Sequence, residues 1–240
     1  MRIFLECQKL KRTGFLPAFL GGGILAAAVP VMNMAARSEL YLSMDLSPIP
    51  ILLNANWQMM TMFNILLVLA GTCLMYHIEF ADHAMQKMKS LPIRESSIFF
   101  HKVVLVMVMS AVVLLLEAGA VTFCTDHWFE ITEGFWLELF QNFAYEFLLM
   151  LPSIVLSMFI ASVFENMWVS LGIGVVCIFT ATMLPTDHFL LSLFPFAIPF
   201  QILAGTDKTE VIHYLYAAII EVLVLSLLEV LFVKVRRLFE

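Results

Sequence analysis

Six stretches of this sequence are long and apolar enough to cross a lipid bilayer as helices. A span needs about 20 mostly apolar residues. The runs at about 14–33, 56–77, 98–124, 136–163, 168–184 and 211–233 have that character. The third reads IFFHKVVLVMVMSAVVLLLEAGAVTFC. Non-helical backbone facing lipid leaves its polar groups without partners at high cost, so such runs fold as helices. Composition points the same way. The chain is 62% hydrophobic and 13% charged, with a mean hydropathy of +0.94, whereas soluble domains hold about 45–50% apolar and about 25% charged residues. The expected class is an all-α polytopic membrane protein, with one membrane domain over residues 1–240.

A further apolar stretch, FLLSLFPFAIPFQIL at 189–203, carries Pro195 and Pro199. Each proline removes a backbone donor and disfavours a continuous helix. The stretch therefore reads as two short helices, re-entrant or lying at the surface. Charge placement favours that choice, because Lys and Arg concentrate on the cytoplasmic side of membrane proteins. With six spans, Arg2, Lys9, Lys11, Arg12, Lys87, Lys89, Arg94, Lys102, Lys234, Arg236 and Arg237 share one side, leaving only Arg37 and Lys208 on the other. A seventh span would spoil this asymmetry. Both termini and the 79–102 insert are thus expected in the cytoplasm, with acidic loops outside. Counted by side, the net charge of −6 does not indicate a basic partner. No basic stripe with interleaved aromatics suggests nucleic acid. The amino-terminal run is long for a cleavable signal peptide.

Ahead of the first span, MRIFLECQKLKRT places Ile3, Phe4, Cys7 and Leu10 on one helical face, with Arg2, Glu6, Lys9 and Arg12 mostly elsewhere. This pattern predicts a short interfacial helix over 1–13, with Lys9, Lys11 and Arg12 near lipid phosphates. A frayed basic tail that only sets topology is the alternative.

Motifs for enzyme chemistry are missing. The chain has no H-E-x-x-H, no G-x-S-x-G and no G-x-x-x-x-G-K-[ST], so it does not bind ATP through a Walker A loop of its own. Cys7, Cys73, Cys124 and Cys177 are too widely spaced for zinc or redox pairs. His77, Glu79, Asp82 and His83 lie close in sequence, but a solvated or partner-facing polar face explains them better than a metal, which needs an oriented ligand set. No metal site and no cofactor are expected on this chain. Gly21–Gly23 sits inside the first run, where it permits close helix approach or weakens the helix. Glu117, Glu146 and Glu221 lie inside the third, fourth and sixth runs, and Glu229 nearer the cytoplasmic end of the last. A charge at bilayer depth costs at least about 2.5–3.5 kcal/mol on insertion scales. These carboxylates therefore face the bundle interior, a wet cavity or a partner. Structural roles and a place on a substrate path or subunit interface both fit.

The insert EFADHAMQKMKSLPIRESSIFFHK, 79–102, is unlike its greasy flanks. Ala81, Ala84, Met85 and Met88 recur at helical spacing, with Glu79, Asp82, His83, Gln86 and Lys89 on the remaining arc. Pro92 stops this predicted 79–91 helix. Either the helix lies on lipid, or it docks in a groove on a soluble protein.

The order of these features resembles a known family. A basic segment ending KLKRT (Lys9 to Thr13) precedes span one, and Glu79, Ser90, Leu91, Pro92 and Lys102 form an E…SLP…K pattern after span two. With six spans in about 240 residues, the chain resembles ABC-2 type permease subunits, most closely those of lantibiotic-immunity and bacitracin-type peptide exporters. The resemblance implies a multi-pass protein of the bacterial plasma membrane, two permeases, identical or homologous, and two copies of a separate ATPase that carries ATP and Mg. It also implies that the helix after span two is a coupling helix, with Glu79, Asp82, Met85, Met88, Lys89 and Leu91 against the ATPase. Export or expulsion of an amphipathic antimicrobial peptide is the implied task. The rivals are an ion-coupled secondary transporter using Glu117, Glu146 and Glu221, and a non-transporting scaffold or sensor.

Overall fold

A computed structural model describes residues 10, 13–80, 95–184 and 188–239. Among them the secondary structure is entirely helical. Seven α-helices follow in order: α1 (Phe15–Leu42), α2 (Pro48–Phe80), α3 (Glu95–Trp128), α4 (Phe135–Val163), α5 (Met167–Met183), α6 (Phe189–Ser192) and α7 (Lys208–Phe239). A 3₁₀ turn at Ile198–Phe200 lies between the last two.

Five of these, α1 to α4 and α7, are long and apolar enough to cross a membrane. The fifth expected span forms the shorter α5, of 17 residues. At about 1.5 Å per residue it extends about 26 Å, against a hydrocarbon core of about 30 Å. The chain is a polytopic helical membrane protein.

Several helices outrun their apolar segments. Charge ends burial in hydrocarbon without ending helicity, and α1 continues through MAARSELYL, which is rich in helix formers, with a local break at Arg37 (φ −140, ψ 33). α2 starts at Pro48, because proline fits a first turn whose N–H would have no helical partner. The prolines at 195 and 199 interrupt the 189–203 stretch as expected, leaving only α6 and the 3₁₀ turn.

α2 is the central helix and packs on α1, α3, α4 and α5, while α7 packs mainly on α4. Close approach depends on missing side chains. A Cβ at Gly22 would overlap Leu67, and one at Gly71 would overlap the Phe19 ring. The outward surface is apolar, with Leu115, Phe140, Trp168, Val176 and Leu223 exposed. Polar side chains turn inward instead: Asn56, Thr61, Asn64, Ser110, Glu117, Glu146 and Ser153 are all buried. This inversion suits a bundle whose solvent is lipid.

Candidate functional site

Two polar clusters stand out, one at the base of α2 and α3 and one in the centre of the bundle. At the base, α2 and α3 flank residues 81–94. Lys102 of α3 is 1% exposed, and its Nζ lies 2.6 Å from Glu79 Oε2 of α2. The same ammonium sits 4.0 Å from the centroid of the Tyr76 ring and donates to the Met75 carbonyl at 3.4 Å. A desolvated ammonium over an aromatic face gains about 2 kcal/mol or more. The acid expected on an exposed docking face is thus turned into the chain's own bundle. Asp82, Met85, Met88, Lys89 and Leu91 lie outside the described residues, as do Ile3, Phe4, Lys9, Lys11 and Arg12. Leu10 is described and packs, buried, against the main core.

In the centre, Glu117 of α3 and Glu146 of α4 are both fully buried. Asn64 of α2 joins them: its Nδ2 donates to Glu117 Oε2 at 3.1 Å and to Glu146 Oε1 at 3.0 Å. Thr61, one helical turn earlier, donates to the same Glu146 oxygen at 3.3 Å. Two intramembrane carboxyls from different helices therefore share one amide. Glu221 is separate, half-buried on α7, with Oε2 buried and lacking a hydrogen-bond partner. Glu229 is buried near Ser162, whose Oγ lies 3.3 Å from Glu229 Oε2. Of the three candidate carboxylates, the fold brings two together and leaves the third apart.

A third polar feature holds the Pro-containing segment against α2 and α4. Trp57 Nε1 donates to the Pro199 carbonyl at 3.2 Å, and Ser153 Oγ donates to that of Pro195 at 2.6 Å. Phe196 and Ile198 are fully buried there. The stretch is packed into the bundle against α2 and α4.

The central role of Asn64 and Thr61 was not read from the sequence. Its signal was present: polar residues at i and i+3 inside an apolar run mark one inward helix face. Among the described residues, no group of three or more His, Cys, Asp or Glu gathers as metal ligands do.

Residues 3–181, well over half the chain, match the profile of the ABC-2 family transporter proteins. The chain belongs to this family. It is a permease component of an ABC transporter, which places ATP hydrolysis on a separate ATPase subunit. No curated protein and no solved structure matches it. In this permease, Glu79 and Lys102, the two ends of the E…SLP…K pattern, are ion-pair partners.

Proposed function

We propose that the permease works as the membrane subunit of a peptide exporter, expelling an amphipathic antimicrobial peptide and so conferring resistance or immunity. Two copies of an ATPase bind ATP and Mg and dock on the 79–91 segment, and a second permease, identical or homologous, completes the path through a bacterial plasma membrane. α5 serves as the sixth span, so both termini are cytoplasmic. The distribution of Lys and Arg supports that topology.

The observation that carries the coupling reading is the buried Glu79–Lys102 pair. It ties together the two helix ends from which the docking segment emerges, so a push on that segment moves α2 and α3 as a unit. α2 also touches α1, α4 and α5, which spreads the movement through the bundle. Amphipathic character in 79–91 supplies Met85 and Met88 as the apolar contact.

The test is the double variant Met85→Asp/Met88→Asp, co-expressed with candidate ATPase subunits. Loss of co-purification, or ATP hydrolysis uncoupled from peptide resistance, with the membrane fold intact, is expected. Normal assembly and resistance would remove the docking role from this segment.

A further inference from the structure

The central cluster is short of hydrogen-bond donors. Asn64 has two amide hydrogens and both are used, one on each carboxyl. Thr61 has one and spends it on Glu146. Glu117 Oε1, Glu146 Oε2 and Asn64 Oδ1 are left buried without a partner, and all three are acceptors when the carboxyls are ionised. Neither glutamate has an ion-pair partner among the described residues. Two carboxylates this deep, with no cation beside them, would carry both a desolvation cost and mutual repulsion.

A second observation is independent of the acidic pair. Ser110 Oγ of α3 is 2% exposed and has no hydrogen-bond partner. Together with Asn64, Phe19, Leu67, Val113 and Met150 it lines a crevice too narrow to hold a water molecule. That crevice, on the Asn64 side of the cluster, admits neither a hydrated cation nor a water molecule. A proton needs no room, and it converts one acceptor oxygen into a donor.

We propose that Glu117, Asn64 and Glu146 form a proton-binding site inside the bundle, with a proton on Glu117 Oε1 or Glu146 Oε2. The carboxyl so formed holds α2, α3 and α4 together in the present packing. Parting these helices would open the site to water and release the proton, which makes the site a sensor of the permease's conformation. This does not depend on the ATPase or on the nature of the cargo.

The test uses the purified full chain in lipid nanodiscs at neutral pH, without an ATPase, and reads the infrared C=O stretch of protonated carboxyl groups. Spectra are taken in potassium and in sodium chloride for the wild type, Glu117→Gln, Glu146→Gln, Glu117→Asp and Glu146→Asp. The expected result is a band that is the same in both salts, is lost in at least one Gln variant, and shifts in the matching Asp variant. If a Gln variant fails to fold, the shift in its Asp counterpart decides. A wild-type spectrum without the band, or a band that no substitution at 117 or 146 alters, would overturn the proposal. A band abolished by sodium would also overturn it, because the site would then be one for a metal cation.

Discussion

Lys102 Nζ lies 2.6 Å from Glu79 Oε2, and both side chains are almost wholly withdrawn from solvent. The pair links the last turn of α2 to an early turn of α3. A buried ion pair gains little over a well-packed apolar pair, but removing one member leaves an uncompensated charge. Glu79→Gln or Lys102→Met alone should therefore destabilise the purified permease by about 3–5 kcal/mol. The neutral double variant should recover most of that loss. Unfolding of the four proteins in one detergent measures the coupling as a double-mutant cycle. Additive losses would show that the two charges act independently.

The shared amide at Asn64 makes a second prediction. Asn64→Leu removes both donors, so Glu117 Oε2 loses its partner while Glu146 Oε1 keeps only Thr61, at about 1–3 kcal/mol for the group left unsatisfied. Asn64→Asp is worse, because it adds a third carboxyl to a site with no cation. The expected order of thermal stability is wild type, then Asn64→Leu, then Asn64→Asp, read from unfolding in nanodiscs. Equal stability of the Leu and Asp variants would contradict the donor role.

In the Pro-containing segment, Trp57→Phe and Ser153→Ala each strand a carbonyl that now accepts a hydrogen bond. Each change should weaken the attachment of residues 195–200 by about 1 kcal/mol. Amide exchange at Phe196, Ala197 and Ile198 should then quicken about fivefold, while exchange in α2 stays as it was. Hydrogen–deuterium exchange with mass spectrometry reads both regions in one experiment.

Tight packing predicts the effect of one methyl group. Gly71→Ala places a Cβ where the Phe19 ring now sits, and overpacking of this kind costs about 1–3 kcal/mol. Phe19→Leu should relieve part of it, so the double variant should melt above Gly71→Ala alone.

The span count is open to chemical labelling. Ser43→Cys and Thr206→Cys, in a background lacking the native cysteines, should react with an impermeant maleimide on intact cells. Lys234→Cys should react only after permeabilisation. Reaction of Lys234→Cys on intact cells would mean that α5 does not cross.

Much of the architecture was legible in the sequence because the bilayer imposes one dominant rule. Runs of spanning length became helices, and Pro195 and Pro199 broke the 189–203 stretch into short pieces, as missing donors require. Helix ends were less legible. Apolarity marks where a helix leaves hydrocarbon, so α1 continues past its apolar run to Leu42 and α2 begins before its own, at Pro48. The functional side chains were legible as types only. Glu117 and Glu146 were visible as charges at depth, but their shared donor was not, because it lies on a third helix more than fifty residues from either partner in the chain.

By itself, then, the sequence determined that this chain is a bundle of membrane-spanning helices, that its polar insert at 79–102 departs from that pattern, and that certain carboxylates pay a burial cost. Hydropathy and charge act locally, residue by residue, and suffice for those conclusions. Only the tertiary structure decided which polar groups satisfy one another. It turned Glu79 inward onto Lys102, joined Glu117 and Glu146 through Asn64, and left Glu221 apart on α7. Such partners are chosen by helix packing, and the close fits at Gly22 and Gly71 that set it depend on contacts between segments far apart in the chain.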